Sequence, residues 1–156
     1  MRKLINRLYK ANFVAFVLIV LLSCYSVIFL VTAIVVLTGL IDVNVSDSSV
    51  QMITFRKIAS ISFSPIIETY LFQLLPLTIL KNKLKWSNLV CIIISALLFG
   101  LAHFGNIYSH ISTFCIGIVL AGAFVIHREH HGVKQAFWAV VSIHILVNLS
   151  LLIIRL

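Results

Sequence analysis

Residues 12–41 read NFVAFVLIVLLSCYSVIFLVTAIVVLTGLI, thirty positions without a charged side chain. About 20 such residues in a helix cross the ~30 Å hydrocarbon core of a bilayer. The stretch therefore predicts a transmembrane helix, long enough to tilt or to project beyond the membrane. Further apolar runs occupy 58–80, 88–108, 111–126 and 133–154, and all but the short fourth approach spanning length. The expected fold class is all-α: a multi-pass bundle of about five helices forming one membrane domain over residues 1–156. The 156-residue chain is 62% hydrophobic and 10% charged, with a mean hydropathy of +1.16. A water-soluble domain of this size has too much surface for its volume to hide that much apolar area.

Charge distribution sets the orientation. The formal charge of +8 comes from short basic clusters between apolar runs. No continuous basic stripe of the kind nucleic acid requires is present, so lipid is the expected partner and nucleic acid is not. With the N-terminus inside, the inner side carries Arg2, Lys3, Arg7, Lys10, Lys81, Lys83, Lys85, Arg128 and Lys134, and the outer side only Arg56, Lys57 and Arg155. The positive-inside bias then predicts N-in and C-out. The start MRKLINRLYK resembles a signal-peptide n-region, but the run behind it is too long for an h-region and lacks a small-residue cleavage site, so an uncleaved first helix is expected. Trp86 fits an interfacial anchor. Cys24, Cys91 and Cys115 lie in apolar runs, odd in number and matching no metal spacing, and are expected as small core residues. Small residues four apart, Ala96 with Gly100 and Gly117 with Ala121, predict close helix approach.

Some groups sit in the wrong solvent. Of the four acidic residues, only Glu68 falls inside an apolar run, near the middle of the second. His103 lies toward the outer end of the third run, and His144 and Asn148 share a face of the fifth, four residues apart. An ionised side chain at the bilayer centre costs about 2.5–3.5 kcal/mol on insertion scales, which marks such residues as functional candidates, although a single His or Asn also serves as interhelical glue. Pro65, three residues before Glu68, is expected to open the helix near Ile61. A proton relay could also use Glu and His, but the two symmetric halves common in transporters are not evident. Residue chemistry alone leaves haem ligation by His103 and His144 open, and also zinc on Glu68, His103 and His144. A second histidine group, His127, His130 and His131 in HREHHG, is expected in a solvated inner loop.

Three short motifs occur in order: Glu68-Thr69-Tyr70-Leu71-Phe72-Gln73, then Phe99 to His103 in FGLAHF, then His144 to Asn148 in HILVN. In order and at membrane depth, they resemble the CPBP (CAAX protease/Abi) family of intramembrane endopeptidases, whose pattern is E-E-x-x-x-R, F-x-x-x-H and H-x-x-x-N. The resemblance covers 58–155; the first helix, 12–41, lies outside it. Thr69 stands where the family has its second Glu and Gln73 where it has Arg. A neutral pair four residues apart on one helix face is expected to hydrogen-bond in place of the ion pair.

The resemblance implies glutamate-type peptide hydrolysis without a metal or other cofactor. It assigns Glu68 and His103 to holding and activating the water, and His144 and Asn148 to donating to the tetrahedral oxyanion, with Thr69, Gln73 and Phe99 in support. Desolvation strengthens a carboxylate as a general base, and two donors converging on one oxygen are what oxyanion stabilisation needs. The implied substrate is a membrane-bound peptide or protein, and the implied location a bacterial plasma membrane. A non-catalytic protein of the same fold, acting in bacteriocin self-immunity or as a scaffold, is the competing expectation, with Thr69 and Gln73 as its support.

Overall fold

A computed structural model describes residues 12–39, 61, 63–103 and 105–154. The basic N-terminal cluster, the acidic segment after Ile41, Arg56, Lys57 and Arg155 lie outside the described residues. Every element among the described residues is helical. Helix α1 spans Phe13–Thr38. The next rod consists of α2 (Ser64–Glu68), a π-helical segment (Thr69–Leu74) and α3 (Leu75–Asn82). Helix α4 spans Asn88–Leu101 and α5 spans Ile107–Ile154, broken at Gly132.

Local chemistry explains most of the boundaries. The Asn12 side chain caps α1 by accepting from the Ala15 amide at 2.8 Å. Gly39, at φ 62°, closes it in the left-handed conformation that suits glycine, two residues before the expected end. Ser87 caps α4 through the Val90 amide. Asn106 caps α5 through the Ser109 amide at 3.0 Å. Helix α4 ends at Leu101, seven residues before the expected 108, and a turn carrying Ala102 and His103 leads into α5.

Gly132 decides the topology of the last helix. Its φ of 79° and ψ of 170° interrupt α5, in a region essentially reserved for glycine. The Phe99 ring lies 5.5 Å from the His144 ring, and its Cδ1 is 3.1 Å from where a Cβ on Gly117 would stand. In a straight helix Gly117 and His144 would be about 40 Å apart. The two halves of α5 therefore fold back on each other about Gly132, flanking α4. Helices Phe13–Thr38 and Ile107–Ile153 are long and apolar enough to cross a membrane.

HREHHG is not the loop expected from its polarity. It is helical up to Gly132, and His127 is buried, its ring 4.6 Å from that of Phe16 and 4.4 Å from that of His131. Pro65 occupies the first turn of α2, where a missing N–H costs nothing. The chain is helical at Ile61 and turns at Phe63, so the helix is interrupted just ahead of the proline. A second irregularity lies further along, in the π segment ahead of Pro76.

Packing follows the expected small-residue pattern. Gly117 sits against Ala96, and Gly100 against Phe114, so close that an added Cβ would stand 3.1 Å from the Ala96 Cα and 3.0 Å from the Phe114 Cβ. Such contact is how helices gain dispersion energy in lipid. Helix α1 packs antiparallel to the first half of α5, from Phe16 on His127 to a 2.7 Å hydroxyl pair between Thr32 and Tyr108. Cys24 and Cys91 are buried and Cys115 is half-buried. The outer faces carry exposed Leu22, Phe29, Leu37, Leu89 and Leu101, while Thr69, Gln73, Ser95 and His144 are buried. Apolar outside with polar groups inside is the arrangement lipid selects.

Candidate active site

Three chain segments converge on Glu68. It ends α2, in the second turn after Ser64, nearer the start of its rod than its sequence run implies. Ser64 lies one turn earlier, and its hydroxyl donates to Glu68 Oε1. That bond fixes the carboxylate so that Oε2 faces the other two segments. Glu68 Oε2 lies 3.4 Å from His144 Nε2 and 3.7 Å from His103 Nε2. The carboxylate and His103 are partly exposed, at 20% and 28%, whereas His144 is 4% exposed.

Phe99 organises both histidines. Its carbonyl lies 2.7 Å from His103 Nδ1, so Nδ1 carries a proton and Nε2 is the ring nitrogen that faces Glu68. Its ring meets His103 edge-on at 4.5 Å and His144 at 5.5 Å. Such contacts orient both imidazoles without adding polar groups. His144 has no hydrogen-bond partner at Nδ1 among the described residues, so its favourable neutral tautomer directs Nε2–H at the carboxylate. Asn148 follows one turn later on the same face of α5 and is half-buried.

Thr69 and Gln73 depart from expectation. Both are fully buried, yet Thr69 Oγ1 and the Gln73 carboxamide have no hydrogen-bond partner among the described residues. The expected pairing assumed α-helical spacing. These residues instead lie in the π segment, where backbone bonds run to the fifth residue and not the fourth.

The sequence-derived residues Glu68, His103, His144 and Phe99 thus come together. The serines were missed, although Ser64 carries a signal in S-x-x-x-E, the spacing that puts two side chains on one helix face. Ser95 is buried on α4 and donates to the Phe72 carbonyl within the π segment, tying the glutamate-bearing rod to the helix that carries Phe99. A separate shallow cavity of about 360 Å³, lined by Phe13, His127, Lys134, Gln135 and Trp138, lies at the Gly132 end.

No curated protein and no solved structure matches the chain. The family model described as type II CAAX prenyl endopeptidase Rce1-like matches residues 50–150, the stretch that holds all three converging segments. The chain belongs to this family, making it a membrane protein of the CAAX-type intramembrane protease kind.

Proposed function

We propose that the chain is a glutamate-dependent intramembrane endopeptidase that cleaves a membrane-bound peptide or protein. The observation that carries the proposal is the placement of Glu68 Oε2 between His144 Nε2 and His103 Nε2. A substrate water between Glu68 and His103 donates one hydrogen to the carboxylate and the other to the imidazole, leaving its lone pair to attack the scissile carbonyl. The C=O π electrons move onto the carbonyl oxygen, giving a tetrahedral oxyanion. His144 Nε2–H and the Asn148 carboxamide are the donors for that oxygen. Collapse of the intermediate breaks the C–N bond, and the proton taken by Glu68 passes to the departing amine.

The catalytic core occupies 58–155 within one membrane domain, with the first helix as an added packing element. The chain sits in a bacterial plasma membrane as a bundle of about five passes, N-in and C-out. Purified protein incubated in isotopically labelled water with membrane-anchored peptides is expected to release a fragment carrying one labelled oxygen at its new carboxyl terminus. Intact peptides after prolonged incubation would contradict the proposal.

A further inference from the structure

The cavity at the Gly132 end takes no part in the chemistry around Glu68, and three chain segments build it. Phe13 opens α1, His127 belongs to the first half of α5, and Lys134, Gln135 and Trp138 follow the Gly132 break. An edge-on contact of 6.4 Å between the Phe13 and His127 rings joins α1 to the wall. The volume of about 360 Å³ stands at the small end of the range of about 300–1,000 Å³ for ligand sites.

His127 is the telling part of that wall. It is 6% exposed, and its ring meets the rings of Phe13, Phe16 and His131 without a hydrogen bond to either ring nitrogen among the described residues. An imidazole always carries at least one N–H, and a buried donor left unpaired is costly. An acceptor inside the cavity would remove that cost.

The other polar groups on the wall donate as well. The Lys134 ammonium has donors only, and the Gln135 carboxamide has an NH₂ to offer. No carboxylate lines the cavity among the described residues, and the ion pairs there all involve Glu68, so Lys134 has none. Glu129, the acidic residue nearest in sequence, accepts from Asn88 Nδ2 at 3.0 Å. Arg128 is turned toward α3, where it donates to the Leu77 carbonyl at 3.5 Å. The start of α1 adds the partial positive charge of a helix N-terminus. Donors without a carboxylate select an anion, and they offer nothing to a ligand's own ammonium group.

The rest of the wall is apolar. Phe13 and Trp138 are 52% and 50% exposed. Trp138 follows Lys134 by one turn on the same helix face, the order in which a headgroup-level lysine and an interfacial tryptophan stand in a bilayer. A free phosphate would leave these rings uncovered, whereas a phospholipid covers them with its glycerol and first methylenes. We infer that this cavity binds the phosphate of an anionic phospholipid through Lys134, His127 and Gln135, with the lipid's upper chain against Phe13 and Trp138. The site is separate from the Glu68 centre and does not rest on the protease function.

Full-length protein in a neutral detergent, titrated with short-chain phosphatidylglycerol, tests the site. Native mass spectrometry reads bound lipid, and the thermal midpoint reads the stabilisation that binding confers. Wild type is expected to bind one phosphatidylglycerol ahead of any others, with a raised midpoint. Phosphatidylcholine of the same chain length is expected to bind at least about 10-fold more weakly, the scale of one hydrogen bond to a charged group. Lys134→Gln, and His127→Phe, which keeps a ring without an N–H, are each expected to lose a similar factor for phosphatidylglycerol. Lys83→Gln, at the same end but outside the cavity, is expected to lose nothing. Undiminished binding in Lys134→Gln, equal loss in Lys83→Gln, or equal binding of phosphatidylcholine would overturn the inference. Inorganic phosphate raising the midpoint as far as the lipid would overturn the lipid assignment in favour of a soluble anion. If His127→Phe does not fold, Lys134→Gln and Gln135→Ala, both at exposed positions, decide the matter by the same readouts.

Discussion

Ser95 donates its hydroxyl to the carbonyl of Phe72, the oxygen that in a regular α-helix would take the amide hydrogen of residue 76. Residue 76 is proline and has no hydrogen to give. A backbone acceptor left bare in an apolar interior is costly, and helix α4 supplies the missing donor from across the interface. The bond holds the π segment that follows Glu68 against the helix that carries Phe99, so it links the main-chain irregularity to the site.

Ser95→Ala removes that donor. The expected loss is about 1–3 kcal/mol, the range for stranding a buried acceptor, read as a lower midpoint of thermal unfolding in detergent. A midpoint equal to wild type would show that the Phe72 carbonyl is satisfied another way.

Ser64 holds Oε1 of Glu68 and so sets the direction of Oε2. Hydrogen bonds to charged groups are worth about 1.5–3 kcal/mol, which converts to roughly 10- to 100-fold in rate. Ser64→Ala is expected to lower kcat by that factor with little change in KM, and Ser64→Thr, which keeps the hydroxyl, to recover most of it. Equal loss in both variants would point to packing instead of carboxylate orientation.

Gly117 allows Phe99 to sit between α4 and α5. A Cβ there would stand 3.1 Å from both the Ala96 Cα and the Phe99 Cδ1, close enough to push the ring away from His103 and His144. Gly117→Ala is expected to cost about 1–3 kcal/mol through overpacking and to reduce cleavage. Unfolding midpoint and kcat on the same preparation check both, and a variant matching wild type in each would contradict the packing.

Gly132 has open space where a Cβ would go, but a φ of 79°. Any other residue meets backbone strain alone, of order 1–3 kcal/mol. Gly132→Ala is therefore expected to destabilise the protein although it clashes with nothing. An unchanged midpoint would mean that the fold-back survives in another conformation.

The sequence carried the membrane class and the residues that converge, because both rest on strong local signals. An uncharged run such as 12–38 has few fates outside lipid, and a carboxylate or imidazole inside such runs needs a partner that only other helices supply. Boundaries set by tertiary packing were not legible. HREHHG reads as a loop from its polarity, yet it stays helical because His127 stacks between Phe16 and His131. The run through Tyr108 gave no sign of ending at Leu101, since the turn holding His103 is itself mostly apolar. Thr69 and Gln73 form no hydrogen bond among the described residues, and they lie in a π segment that no α-helical spacing rule anticipates. Pro76 was the available clue, and it acts only together with Ser95 on another helix.

The most direct test of the central claim is the rate of peptide cleavage by purified wild type, Glu68→Gln and His103→Ala, each shown to be folded by an unchanged thermal transition. The account predicts cleavage by wild type and a loss of at least about 100-fold in each variant, the scale of a general base or its partner. Equal rates in all three, or no cleavage by any, would contradict the assignment of Glu68 as the working base.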